Sequence, residues 1–129
     1  MSPIRALIVD DKWLIRSELK YMLKPYLNIE IIGEAENGRE AADLIQQKRP
    51  DVIFLDIHLP DDSGFDLVER LKPDCQIVFI SAYNKFLNEA KKYHPIEFLL
   101  KPINAKKLSK TIEKLEKTLA EDPGWGHAV

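Results

Sequence analysis

The chain has 129 residues, 45% of them hydrophobic and 31% charged, with a formal net charge of −2. That length fits one globular domain with its own core and fits two poorly, and the near-neutral charge excludes the strongly basic face of an autonomous nucleic-acid binder. Cys75 is the only cysteine, which excludes an intramolecular disulfide and argues against a cysteine-built zinc site; it reads as a small buried hydrophobe.

Short apolar runs alternate with longer amphipathic segments. The run Ala6-Leu7-Ile8-Val9 predicts a first strand, and Ile15, Leu19, Met22 and Leu23 then fall at helical spacing up to Pro25. A weaker strand signal covers Ile29 to Glu34. Ala41, Leu44 and Ile45 predict a second helix, entered near Asn37-Gly38 and closed before Pro50. Val52-Ile53-Phe54-Leu55 is continuous and β-branched, as a strand covered on both faces should be. A turn-rich loop, Leu59-Pro60-Asp61-Asp62-Ser63-Gly64, leads to a short helix marked by Phe65, Leu67, Val68 and Leu71; Asp61-Asp62 reads as an exposed turn. Ile77-Val78-Phe79-Ile80 is another buried-type strand. Phe86, Leu87 and Ala90 suggest a modest helix, and Ile96 to Leu100 the last strand. Leu108, Ile112, Leu115 and Leu119 line one face of a closing helix, with Lys106, Lys107, Lys110, Lys114 and Lys117 mostly off that stripe. No repeat or low-complexity segment interrupts the pattern.

Alternating strands and helices of this kind imply a doubly wound α/β fold, a parallel sheet with helices on both faces. Residues 1–121 are expected to form the domain. Residues 122–129, which contain Pro123 and two glycines, read as a C-terminal tail or the start of a linker to an effector outside this sequence. The start, Met1-Ser2-Pro3, lacks the basic and apolar segments of a signal peptide, and no apolar stretch is long enough to span a bilayer. A cytoplasmic location without membrane attachment is therefore expected.

The residues that carry chemistry stand directly after the buried strands. The first run ends in Asp10-Asp11, the third in Asp56, the fourth in Ser81 and the fifth in Lys101. In a parallel sheet these carboxyl ends share one edge, where ligands bind. Three carboxylates gathered there repel one another by about 3 kcal/mol per pair at ~5 Å and an effective dielectric of ~20. A hard cation relieves that repulsion, and an all-oxygen donor set suits Mg²⁺ or Mn²⁺. Lys101 adds a point charge suited to a phosphate oxygen, and Ser81 a hydroxyl donor. Metal, ammonium and hydroxyl are the parts that phosphoryl transfer to a carboxylate requires.

Asp10-Asp11, then Asp56-Ile57-His58-Leu59-Pro60 with Gly64, then Ser81-Ala82, then Lys101-Pro102 resembles the receiver domain of two-component response regulators in order and spacing, from about Ile4 to about Leu119. Each segment is common; the ordered set is specific. The resemblance implies a flavodoxin-like (βα)5 fold with strand order 2-1-3-4-5. It implies Asp56 as the phosphoacceptor (4-aspartylphosphate), Asp10 and Asp11 as metal-side acids, and the backbone carbonyl of His58 as a further metal ligand. Ser81 would be the switch hydroxyl, Lys101 the phosphate-pairing cation, Phe98 the switch aromatic and Lys101-Pro102 a cis peptide. Departures are mild: Phe98 stands where Tyr is frequent, Ser81 where Thr is commoner, Leu59 where Met is common, and Lys12 where a third acid is often found. The stretch Ser81-Ala82-Tyr83-Asn84-Lys85-Phe86 looks like receivers attached to LytTR-type DNA-binding domains.

The implied function is acceptance of a phosphoryl group from a sensor histidine kinase or a phosphotransfer protein. A conformational switch then controls an output, transcription through a separate DNA-binding domain. No direct nucleic-acid binding is expected of this domain, nor any enzymatic turnover beyond self-catalysed transfer and slow autodephosphorylation. A homodimer through the last two helices and fifth strand is weighed against a merely solvated lysine face. Tyr83, two residues past Ser81, is a candidate to shield the phosphoryl group from water. Three rivals stand beside this reading. A haloacid-dehalogenase-type enzyme would want a second Asp where His58 stands. A flavodoxin-like binding module would want a Gly- and Ser-rich loop where Asp10-Asp11-Lys12-Trp13 stands. A degenerate receiver would lack part of the acid, hydroxyl and lysine set.

Overall fold

The computed structural model describes residues 2–121, so the expected tail at 122–129 lies outside the described residues. Five strands, β1 (Ile4–Val9), β2 (Ile29–Ala35), β3 (Val52–Asp56), β4 (Gln76–Ser81) and β5 (Glu97–Leu100), pair in parallel in the order β2-β1-β3-β4-β5. The helices are α1 (Trp13–Leu23), α2 (Gly38–Lys48), α3 (Gly64–Leu71), α4 (Leu87–Ala90) and α5 (Ala105–Glu121).

Side-chain alternation along the strands divides the core into two layers. Leu7, Val9, Ile53, Leu55 and Phe79 face α2, α3 and α4, meeting Ala41, Ile45, Phe65, Leu67 and Ala90. Ala6, Ile8, Val52, Phe54, Val78 and Ile80 face α1 and α5, meeting Leu19, Leu23, Leu108, Ile112 and Leu115. Each fully buried large apolar side chain contributes ~1.5–3 kcal/mol by leaving water. Because β1, β3 and β4 are covered on both sides, their sequences read as unbroken apolar runs. β2 is an edge strand, mostly half-buried, and its sequence signal is correspondingly weak.

The helix ends have local causes. Asn37 caps α2 by accepting from the Glu40 N–H at 2.8 Å, while Glu40 accepts from the Glu36 N–H at 3.1 Å. Ser63 caps α3, accepting from Phe65 and Asp66. Arg49, Lys72 and His94 take the left-handed conformation at φ 47, 43 and 50°, and each stands directly before a proline. The chain turns out of its helix there without a glycine, and the proline bars continuation. The fourth helix is shorter than its sequence suggests. It is one α-helical turn between 3-10 turns at Asn84–Phe86 and Lys91–Tyr93, because only Ala90 of α4 is buried.

Candidate functional site

Three of the strands end in the same local device. Asp10 Oδ1 accepts from the Lys12 N–H at 2.9 Å, Asp56 Oδ1 from the His58 N–H at 2.9 Å, and Ser81 Oγ from the Tyr83 N–H at 3.0 Å. Each is a side-chain-to-backbone bond two residues ahead, which competes with the strand ladder and ends it. The Lys101 N–H donates to the Ser81 carbonyl at 2.8 Å, so the residue after β5 is pinned beside the end of β4. The sheet therefore delivers Asp10, Asp11, Asp56, Ser81 and Lys101 to one edge, as the sequence predicts.

One ligand oxygen from each of Asp10, Asp11 and Asp56 lies within 4.8 Å of the others. The Lys101 ammonium sits between two of these acids, 3.0 Å from Asp56 Oδ2 and 2.9 Å from Asp10 Oδ2. The Asp56 contact is a hydrogen bond, whereas the Asp10 contact lacks that alignment and is charge pairing at the same distance. Asp10 and Asp56 are buried, and one ammonium between them leaves a net negative pocket. Asp11 Oδ1 is buried and accepts no hydrogen bond; its cationic neighbour is the exposed Lys12 ammonium at 3.6 Å. A buried carboxylate oxygen without a donor is costly. It is the mark of a pocket suited to a cation.

Burial pushes the Asp56 carboxyl above its ordinary value, and the charge of Asp10 adds to the rise; the His58 N–H and Lys101 oppose it without cancelling it. For Lys101 burial works to lower the value, but pairing with Asp10 and Asp56 outweighs it and holds the ammonium above the ordinary lysine range. The amine stays charged.

A groove open to solvent is lined by Asp11, Lys12, Asp56, His58, Leu59, Pro60, Ala82, Tyr83 and Lys101. The His58 ring meets Tyr83 and Phe86 edge-on at 5.6 and 4.8 Å. Tyr83 is 55% exposed at the groove and Trp13 is 68% exposed on α1. Ser81 is fully buried, and its hydroxyl also donates to the Tyr83 carbonyl at 3.2 Å. Phe98 is buried in the α2–α3–α4 layer. The Lys101-Pro102 peptide is cis, as the resemblance implied.

Sequence reasoning missed two contributors. The Arg16 guanidinium donates to the Asp10 carbonyl at 2.7 Å and to Glu34 at 2.9 Å, tying α1 and β2 to the acidic strand end. Asp61 is exposed, yet its carboxylate accepts from the Gly38 and Arg39 N–H groups at 2.7 and 3.1 Å, so the expected free turn is moored to α2. Its partners are backbone groups more than twenty residues earlier, and no residue pattern announces them.

Residues 6–113 match the response regulator receiver domain family. The chain belongs to that family. This receiver domain is 38% identical over 117 residues to the sensory transduction protein LytT of Bacillus cereus, covering 88% of the chain and 48% of the relative. It is 42% identical over 114 residues to the transcriptional regulatory protein BtsR of Salmonella typhi, covering 87% of the chain and 48% of the relative. The chain thus spans about half the length of the curated relatives it matches. Among solved structures, the receiver (REC) domain of AraT, a response regulator from Geobacillus stearothermophilus, superposes with a TM-score of 0.81 at 31% identity, covering 92% of this chain and 97% of that one. As a receiver of two-component signalling, the domain is a signalling module, and the family works with histidine kinases or phosphotransfer proteins. No helix among the described residues is long and apolar enough to cross a membrane.

Proposed function

We propose that this receiver domain accepts a phosphoryl group on Asp56 from the phosphohistidine of a sensor histidine kinase or phosphotransfer protein. The observation that carries this reading is the cluster of three acids around one ammonium, with a buried Asp11 oxygen that has no donor. The donor set fits Mg²⁺ or Mn²⁺, held by Asp10, Asp11, Asp56 and the His58 carbonyl. Such a cation, when bound, offsets the charge of the transferring group and orients it.

An Asp56 oxygen attacks phosphorus as the bond from phosphorus to the donor imidazole nitrogen breaks, and the electron pair of that bond stays on the imidazole. The His58 N–H and Lys101 favour the ionised carboxylate and hold it in place before attack. Once the acyl phosphate forms, Lys101 pairs with a phosphoryl oxygen and Ser81 gives up its Tyr83 carbonyl contact to donate to another. The acyl phosphate carries about −2 where the carboxylate carried −1, so the modification adds about −1 charge and new acceptor oxygens, enough to bias a two-state balance of a few kcal/mol, with Ser81 and Phe98 as the switching pair. Tyr83, over the groove, limits access of water to the phosphoryl group. Autodephosphorylation is slow, and no other turnover is performed.

On this reading residues 1–121 make up the domain, and 122–129 are a C-terminal tail or the start of a linker. The names of its relatives, a sensory transduction protein and a transcriptional regulatory protein, support transcription as the output; we propose a cytoplasmic regulator of the LytTR type whose separate domain, not this one, contacts DNA. Leu87 on α4 and Leu100 on β5, each 37% exposed, favour dimerisation of the phosphorylated form through α4, β5 and α5. Incubation with phosphoramidate and Mg²⁺, followed by intact-mass spectrometry, is expected to show one phosphoryl adduct that Asp56→Asn lacks. An adduct on Asp56→Asn, or equal labelling in EDTA, overturns the reading.

A further inference from the structure

The loop after Asp56 carries the His58 carbonyl, and its shape is set by contacts outside the acidic cluster. His58 and Ser63 form an antiparallel bridge, and the Leu59 N–H donates to the Asp62 carbonyl at 3.1 Å, making residues 58–63 a small hairpin. Asp62 braces its base, accepting from the Ser63 N–H at 2.9 Å and from Arg70 of α3 at 2.8 Å. The tip is held differently. There Asp61 reaches across to α2 and accepts from its first two N–H groups, at 2.7 and 3.1 Å. Gly38 permits that approach: a Cβ added to it would lie 2.9 Å from Asp62 Cβ and 3.2 Å from Asp61 Oδ1.

Two helix N-terminal donors that local residues do not cap are thus satisfied by a side chain from the loop, a favourable place for a carboxylate. Those backbone bonds also hold the Asp61 carboxyl below its ordinary value. Asp61 and Asp11 line one groove, together with Glu36, Asn37, Arg39, Glu40 and Pro60. The mooring therefore lies beside the acid whose buried oxygen has no donor.

We infer that Asp61 is a positioning residue for the cation site: by tying the loop tip to the start of α2, it fixes the His58 carbonyl relative to Asp11 and Asp56. Asp61 is not one of the three acids whose oxygens converge within 4.8 Å of one another, and its own oxygens accept from the first N–H groups of α2. This role rests on the cation reading above, and removal of such outer contacts typically weakens metal affinity by about 10–100-fold.

Mn²⁺ alone is the probe, its free fraction read by electron paramagnetic resonance in a titration of the whole chain, with unfolding in EDTA followed in parallel. Asp61→Ala is expected to raise the Mn²⁺ Kd about 10-fold, and Asp61→Asn, which keeps one acceptor oxygen, less. Asn37→Ala removes a different cap of the same helix; it should lower the melting temperature while leaving the Kd unchanged. That contrast separates positioning of the loop from stability of α2. A twofold or smaller change in Kd for folded Asp61→Ala and Asp61→Asn overturns the inference, as does an equal rise for Asn37→Ala. Should Asp61→Ala not fold, the Asp61→Asn and Asn37→Ala pair decides. Absence of Mn²⁺ binding by the parent chain, or parent binding that Asp11→Asn leaves intact, overturns the cation reading and this inference with it. Parent binding that Asp11→Asn abolishes and Asp61→Ala leaves intact overturns only the inference.

Discussion

Replacing Asp11 by Asn should make the metal-free domain more stable. The three acids present oxygens within 4.8 Å of one another. At that separation and an effective dielectric of ~20, each pair repels by about 3.5 kcal/mol, so Asp11 carries ~7 kcal/mol from its two neighbours before any compensation. The Lys12 ammonium at 3.6 Å offsets a large part of that, although its side chain is 67% exposed and screened. Asp11 Oδ1 accepts no hydrogen bond that the substitution would break. A net gain of ~1–2 kcal/mol remains, or about 3–10 °C in melting temperature for a domain of this size. Circular dichroism melts in EDTA should show Asp11→Asn above the parent. In Mg²⁺ the order should reverse, because a ligand at 100 times its Kd stabilises the parent by about 2.7 kcal/mol and the variant has lost that site. High salt should shrink the EDTA difference. A variant that is less stable in EDTA, or that Mg²⁺ stabilises as much as the parent, refutes the repulsion reasoning.

Asp56→Asn should show the same physics through pH. The raised carboxyl of folded Asp56 gives stability that is full below the unfolded value of 3.8 and lost as pH rises through the folded value. In EDTA the variant, which does not titrate, should therefore gain on the parent as pH rises above about 4, as read from urea unfolding; the opposite trend would mean that Lys101 outweighs burial. Gly64→Ala should destabilise by about 1–3 kcal/mol in urea unfolding, since the added Cβ would meet the Asp56 carbonyl oxygen at 2.8 Å and the Ile57 Cα at 3.0 Å. A change near zero would show that the loop yields freely. Burial, followed by the charges of Asp74 and Asp51, pushes the Cys75 thiol up to about 12. Ellman's reagent at pH 8 should react about 10³-fold more slowly with native protein than with the chain in urea; rates within tenfold would contradict the burial.

Local rules and burial make most of the architecture legible in the chain itself. Continuous runs such as Val52 to Leu55 mark strands covered on two faces, and Ser63 or Asn37 ahead of an amphipathic stretch marks a helix start. Two acids and the hydroxyl of the site are equally visible, because Asp10, Asp56 and Ser81 each end a strand through a bond only two residues ahead. β2 is faint because an edge strand buries little. The length of α4 is overestimated because Phe86, Leu87 and Ala90 suggest a helical stripe although only Ala90 is buried.

The sequence alone determined the parallel α/β order, the set of acids, hydroxyl and ammonium, and their delivery to one sheet edge, since these come from periodicity and from bonds between near neighbours. Tertiary structure decided the rest. The seat of Lys101 between Asp10 and Asp56, the burial of Phe98 and the hold of Asp61 on α2 join segments 22 to 91 residues apart or turn on how layers pack. Such contacts depend on where whole elements come to rest, and the residues near them in the chain carry no trace of it.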